Sequence, residues 1–213
     1  MSDDDKFEAE PSFAVEFFDK RIELARAYTK RLANDSDTFG LLGPRELSKI
    51  WSRHVLNSAL LVELVPAGAK VADVGSGAGL PGIPMAIAMP NTEFTLIEPM
   101  ERRANWLVEV VRELGLSNVD VVRMRAEDVL RTDFDIVTAR AVAALDKLLK
   151  LLTPLLRGSE LRTVLAVKGS RAPIEIEEAT PRLKRLGYGE PEIITLGLGR
   201  APETATVVRV RLR

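Results

Sequence analysis

The spacing of apolar positions changes near residue 68. Ahead of it, Phe13, Phe17, Ile22, Leu24 and Tyr28 recur among charges at helical spacing, predicting an amphipathic helix over 12–32. Ser12 is its expected N-cap, with Val15 and Glu16 in the first turn. Gly40 and Gly43-Pro44 break the pattern. Leu47, Ile50, Trp51, Val55 and Leu60 predict a second helix over 45–64, ended by Pro66 and Gly68. Beyond Gly68, short β-rich runs alternate with helical stretches. Strands are predicted over 70–75, 93–98, 119–125, 134–140 and 163–169. Helices are predicted over 82–89, 100–114, 142–156 and 173–186, with Gly115 just past the end of one. Two last strands, 192–198 and 204–213, follow each other with no helix between.

Strands separated by helices imply right-handed βαβ units and a parallel sheet. The final pair implies an antiparallel hairpin at one end. The expected fold is therefore α/β: a Rossmann-like, seven-stranded, mostly parallel sheet with a C-terminal antiparallel hairpin, preceded by N-terminal helices. Three regions are expected: a disordered acidic tail over 1–11, a helical extension over 12–66, and a ligand-binding domain over 67–213.

Composition narrows the chemistry. The chain has 213 residues, 46% of them hydrophobic, enough for a real core. It has no cysteine, which excludes disulfides, thiolate metal sites and cysteine nucleophiles. A single histidine, His54, argues against a histidine zinc site, and no metal is expected. No apolar run is long enough to span a membrane, and the N-terminus does not read as a secretion signal, so a cytoplasmic protein is expected. The net charge of −1 conceals an asymmetry: residues 1–20 carry −5 and the remainder +4. A mildly basic body is compatible with RNA binding, though surface charge also simply confers solubility.

The densest chemical signal is DVGSGAGLPGIP, residues 73–84, after the first predicted strand. In an open parallel sheet, ligands bind at the carboxyl ends of the strands. Two registers compete there. Gly77, Gly79 and Gly82 match the dinucleotide pattern G-x-G-x-x-G, but that puts Pro81 in the loop and Ile83-Pro84 where the helix should begin. Gly75, Gly77 and Gly79 match D-x-G-x-G-x-G, led by Asp73. A Walker phosphate loop is excluded, because no G-x-x-x-x-G-K-[ST] occurs. The second register suits a ligand without phosphates, such as S-adenosylmethionine. Asp73 would take part in holding the ammonium end, Glu98 would accept the ribose hydroxyls, and Ala126-Glu127-Asp128 would read the adenine edge. Singly, each acid is an ordinary loop residue; three at successive strand ends make a site.

DVGSGAGLPGIP, LIEP followed by Arg102-Arg103, RAEDV, TARAVA and AVKG together strongly resemble the RsmG (GidB) family, and RHVLNS (53–58) resembles its R-H-x-L-x-S element. The similarity spans roughly 45–170, and GLPGIP is its most specific part. The resemblance implies a bacterial class I S-adenosylmethionine-dependent methyltransferase acting on N7 of one guanine in 16S rRNA. By motif match it assigns cofactor contacts to Gly75, Leu80, Ala126, Glu127 and Arg140. Two departures stand out. FGLLGPRELSKIWS lacks the family's common N-L-T-x-[VI] stretch, and Glu98 stands where many relatives have Asp.

The chemistry agrees with that implication. Guanine N7 has a free lone pair and no proton, so methyl transfer to it needs no general base and positioning dominates. Without cysteine, carbon-5 methylation of pyrimidines is excluded, and TARAVA (138–143) replaces the [ND]-P-P-[YF] used for exocyclic amines. Arg140 would then contact guanine O6, a phosphate or the cofactor, its plain alternative being a rim salt bridge. Lys168 would contact an RNA phosphate or the product side, or be a solvated lysine. Arg140 and Lys168 are the catalytic candidates; Arg53, Arg123, Arg125 and Lys168 are the RNA candidates. Arg123 and Arg125 are expected on one face of a strand, His54 as a structural residue, and Trp51 and Trp106 in packing. The expected partner is 16S rRNA or the small ribosomal subunit, bound by a monomer. The alternatives are a small-molecule methyltransferase of the same fold, a cofactor-holding module without turnover, and a dehydrogenase resting on the first glycine register.

Overall fold

The computed structural model describes residues 7–213. Five β-rich runs form parallel strands β1 (Lys70–Val74), β2 (Glu93–Ile97), β3 (Val119–Val122), β4 (Ile136–Arg140) and β5 (Thr163–Lys168). Strands β6 (Glu192–Leu196) and β7 (Ala205–Arg211) follow. The sheet order is β3-β2-β1-β4-β5-β7-β6. β7 pairs antiparallel with both β5 and β6, so the expected hairpin enters the sheet with its second strand inward. The strand order reverses between β1 and β4, which opens a crevice at their carboxyl ends.

Alternation along the strands divides the core in two. Val71, Phe94, Leu96 and Ile136 face α1 (Ser12–Phe18), α2 (Ile22–Phe39), the 44–64 segment, α4 (Gly82–Ala88) and α5 (Glu101–Glu113), packing with Tyr28, Leu56, Ile83 and Trp106. Ala72, Val74, Val137 and Ala139 face α6 (Leu145–Leu152) and α7 (Ala172–Leu186), packing with Leu148, Leu152, Ala179 and Leu183. The N-terminal helices thus share one core with the sheet. Trp51 and Trp106 are both buried, and Trp106 Nε1 donates to Asp35 Oδ2 at 2.7 Å, joining α5 to α2.

Several local expectations are corrected. The first helix is two: Asp19, at φ 45°, interrupts it, and α2 runs on to Phe39, where Gly40 at φ 63° caps it. Ser12 is the first helical residue and Pro11 precedes it, so Ser12 is not the cap. The 45–64 helix is irregular: a 3-10 stretch Pro44–Lys49, a π stretch Ile50–Leu56, one turn α3 (Asn57–Ala59) and a 3-10 stretch Leu60–Leu64. The predicted 142–156 helix begins only at Leu145, and Thr153–Leu156 tightens to 3-10 at Pro154. β3 stops at Val122, so Arg123 and Arg125 lie in the following loop and not on a strand face. Of the tail expected over 1–11, residues 1–6 lie outside the described residues. Disorder does not extend over 8–11: Glu8 accepts the N–H groups of Trp51 and Ser52 at 2.8 and 2.9 Å, and Glu10 pairs with Arg26 at 2.7 Å. The physical reason is that the first N–H groups of a helical segment lack internal acceptors, and the tail supplies one.

Candidate active site

The loop after β1 turns at Gly75 and Gly77, with φ of 69° and 55°, conformations open to glycine. Gly75 N–H donates to the Ile97 carbonyl at 2.8 Å and Gly77 N–H to Glu98 Oε2 at 2.8 Å, so the loop is stitched to the end of β2. Glu98, nearly fully buried, also accepts the Met100 N–H at 2.9 Å through Oε1. Each of its oxygens retains a second lone pair. From the helical side, Tyr28 donates its hydroxyl to the Ala78 carbonyl at 2.7 Å. Burial raises the Tyr28 pKa well above its ordinary value, so it remains a donor.

Gly82 explains the GLPGIP extension. It opens α4 against β1, and a Cβ there would lie 2.3 Å from Leu96 Cδ2 and 2.8 Å from Asp73 Oδ2. Its lack of a side chain lets its N–H donate to Asp73 Oδ2 at 3.1 Å. This is a packing glycine beneath the loop, the role that the third glycine of a dinucleotide fingerprint also plays, so it does not separate the two registers; Gly79 does, because it is buried and a Cβ on it would lie 2.8 Å from Ile83 Cγ1, leaving no open backbone there for a pyrophosphate.

Asp73 is wholly buried, and among the described residues its Oδ1 has no hydrogen-bond partner. Burial pushes its pKa up to about 7, with the Gly82 N–H and the Ser76 hydroxyl opposing the rise and the Glu98 charge adding to it. A buried carboxylate oxygen without a donor, next to two partly open loop glycines, fits a ligand bearing an ammonium group. Leu80 is buried against the same core. Ala126 and Glu127 open a short 3-10 turn after β3, Ala126 buried and Glu127 exposed.

Across the crevice, β4 and β5 end at a cavity of about 740 Å³. It is lined by Arg53, Asn57, Arg140, Lys168, Arg171 and the 141–144 loop, among others, but by none of the β1, β2 or β3 loop residues. Val142 joins the two regions, because a Cβ on Gly75 would lie 2.8 Å from Val142 Cγ2. Arg140 Nη1 donates to Ser58 Oγ at 3.0 Å. Its Nη2 donates to the Arg53 carbonyl at 3.1 Å and to His54 Nδ1 at 3.0 Å. Burial lowers its pKa from the ordinary value, but a guanidinium stays charged in proteins. His54 is buried, and burial together with the Arg140 charge lowers its pKa to about 4. The neutral ring therefore donates Nε2–H to Glu46 Oε2 at 2.8 Å and offers Nδ1 to Arg140.

The structure brings Asp73, Gly75, Gly77 and Glu98 together on one side and Arg53, Arg140 and Lys168 on the other. Lys168 is less available than its sequence position suggests: its Nζ donates to Glu175 Oε2 at 2.8 Å and to the Ala143 carbonyl at 2.7 Å. Arg123 and Arg125 lie apart from this cavity, past β3, where Arg123 pairs with Glu101 at 2.7 Å and Arg125 is exposed. Glu46, Ser58 and Tyr28 carried no separate signal as site residues. Ser58 and His54 stand in RHVLNS, but only the fold reveals that they meet Arg140.

A family model described as rRNA small subunit methyltransferase G matches residues 21–198. The chain is 50% identical over 203 residues to the ribosomal RNA small subunit methyltransferase G of Pseudarthrobacter chlorophenolicus, covering 95% of this chain and 93% of that one. It is 49% identical over 211 residues to the protein of that name from Leifsonia xyli, covering 98% and 99%. Its fold resembles that of a SAM-dependent O-methyltransferase from Thermotoga maritima, with a TM-score of 0.54 at 15% identity, covering 85% of this chain and 71% of that one. With the sheet order, the glycine loop and these matches in agreement, the chain belongs to the GidB family, the rRNA small subunit methyltransferase G family, on a class I methyltransferase fold.

Proposed function

We propose that this protein transfers the methyl group of S-adenosylmethionine to N7 of one guanine in 16S rRNA. The observation that carries the reading is the division of the crevice: a carboxylate-and-glycine cradle at β1 and β2 beside a separate, arginine-bearing cavity at the ends of β4 and β5. Asp73 takes the ammonium end of the cofactor, and Gly75, Gly77 and Leu80 shape the cradle. Glu98 accepts the ribose hydroxyls through its spare lone pairs. Ala126 and Glu127 meet the adenine. When bound, the cofactor supplies a sulfonium-activated methyl group.

The chain's own task is orientation. N7 releases no proton on methylation, and the one histidine is committed to Glu46 and Arg140, which fits a reaction without a general base. Arg140 faces the cavity and donates to guanine O6 or to a flanking phosphate, with N7 left toward the methyl group, and the same guanidinium contacts the cofactor. Lys168 holds the 141–144 loop through the Ala143 carbonyl and gives the cavity rim its charge. Arg53, and at a distance Arg123 and Arg125, engage RNA phosphates. An rRNA substrate supports a cytoplasmic location, where the protein acts as a monomer. Separately, among the described residues no helix is long and apolar enough to cross a membrane.

The test is methyl transfer from labelled S-adenosylmethionine to small-subunit RNA and to subunits from cells lacking this protein, followed by digestion and mass spectrometry. Appearance of 7-methylguanosine at one site is expected. Cofactor binding without transfer to either acceptor would turn the reading to a small-molecule acceptor.

A further inference from the structure

Arg140 is the last residue of β4, and an arginine side chain left to itself samples many rotamers. Here it is not free. Three acceptors converge on its guanidinium, Ser58 Oγ, the Arg53 carbonyl and His54 Nδ1, all from the irregular N-terminal segment. They take three of the five guanidinium N–H groups and leave two. Of the three, His54 offers a ring nitrogen whose lone pair a further side chain fixes, and that side chain, Glu46, also lies 3.7 Å from Arg53 Nε. Glu46 accepts Nε2–H at 2.8 Å, and this selects the tautomer in which Nδ1 carries the lone pair. A histidine with the other tautomer, or with both nitrogens protonated, would present N–H to N–H and push Arg140 away. Neither Glu46 nor His54 lines the cavity, whereas Arg53 and Arg140 do.

We propose that the Glu46–His54 pair positions Arg140 for the acceptor guanine, so that His54 governs the rate of methyl transfer without touching RNA or cofactor. The inference rests on the reading of Arg140 as the acceptor-side residue. His54 is a positioning residue in this scheme, and Glu46 sets its tautomer. Misplacing a contact by about 1 Å costs a reaction up to roughly a hundredfold. Loss of the Nδ1 acceptor frees Nη2 to swing, and the effect persists on turnover when the cofactor is saturating.

The experiment compares His54→Leu, His54→Asn, Arg140→Ala and the His54→Leu/Arg140→Ala double variant, using full-length protein, unmethylated small-subunit RNA and saturating S-adenosylmethionine. Leucine and asparagine have similar shapes, but Asn Oδ1 stands where His Nδ1 stood and restores the acceptor. We expect His54→Leu to lower kcat at saturating cofactor roughly 10- to 100-fold, and His54→Asn to recover most of the loss. The double variant should be no slower than Arg140→Ala, because one residue acts through the other. Multiplied losses in the double variant, no rescue by asparagine, or a wild-type rate in His54→Leu would each overturn the proposal. Should His54→Leu fail to fold, Glu46→Leu takes its place, because a glutamine would still accept Nε2–H: a lowered kcat at saturating cofactor supports the proposal and a wild-type kcat overturns it. A wild-type rate in Arg140→Ala would instead overturn the underlying reading of Arg140, whereas a slow Arg140→Ala with a fast His54→Leu overturns this inference alone.

Discussion

Replacing Asp73 by asparagine tests the cofactor cradle at its most perturbed group. The carboxylate is fully buried, lacks a partner on Oδ1 among the described residues, and has its pKa raised from 3.8 to about 7. The sign follows from linkage. With the folded pKa above the unfolded one, the cofactor-free protein binds the extra proton, so its stability falls as pH rises from about 4 through about 7. Holding the carboxylate ionised at pH 8 costs on the order of 4 kcal/mol. An incoming ammonium group needs the ionised form. About half the molecules have it at pH 7 and about a tenth at pH 6, so affinity should fall roughly fivefold between these pH values and about tenfold over the next unit. Above pH ~8 affinity should fall again, as an α-amino group loses its proton. Calorimetry in two buffers of different ionisation enthalpy should therefore detect proton release on binding near pH 6. Asp73→Asn should bind about 10- to 100-fold more weakly at pH 8, consistent with loss of a charge-assisted hydrogen bond. It should lose the pH dependence below 7, and its cofactor-free form should melt higher than wild type at pH 8. A wild-type affinity flat from pH 5.5 to 7.5, or an asparagine variant equal to wild type at pH 8, would refute the assignment of Oδ1 to the ligand.

Other substitutions probe the scaffold around that carboxylate. Gly75→Asp puts a side chain at φ 69° and a Cβ 2.8 Å from Val142 Cγ2; a lowered melting temperature from about 1–2 kcal/mol of strain and no calorimetrically detectable cofactor binding are expected, and near-normal affinity would contradict the cradle. Gly82→Ala drives a methyl into Leu96 and Asp73, so a loss of about 1–3 kcal/mol in denaturant unfolding should accompany weakened cofactor binding. Tyr28→Phe leaves the buried Ala78 carbonyl without its donor and should cost about 1–3 kcal/mol by thermal melting, with little change in kcat at saturating cofactor.

What the amino-acid sequence determined by itself is what short-range physics decides. Strand and helix periods were legible from residue 70 onward because those segments bury one face or two with regular spacing. The turn at Gly75 and Gly77 was legible because glycine tolerates positive φ. The strand-end acids Asp73 and Glu98 were legible because a parallel sheet carries its ligands at that edge. The irregular 44–64 segment was not legible: its apolar spacing reads as one helix, and the 3-10 and π turns answer to contacts with distant elements, Glu8 among them. The same holds for side chains whose partners lie far along the chain. The capture of Arg140 by His54 and Ser58 spans more than 80 residues, Lys168 meets Glu175 across a strand-to-helix turn, and β7 inserts beside β5 instead of following β6 outward. A linear sequence exposes the type of each group and its local neighbours. Only packing decides which groups lose their water, and in losing it Asp73 and His54 acquired the pKa values and partners on which this site depends.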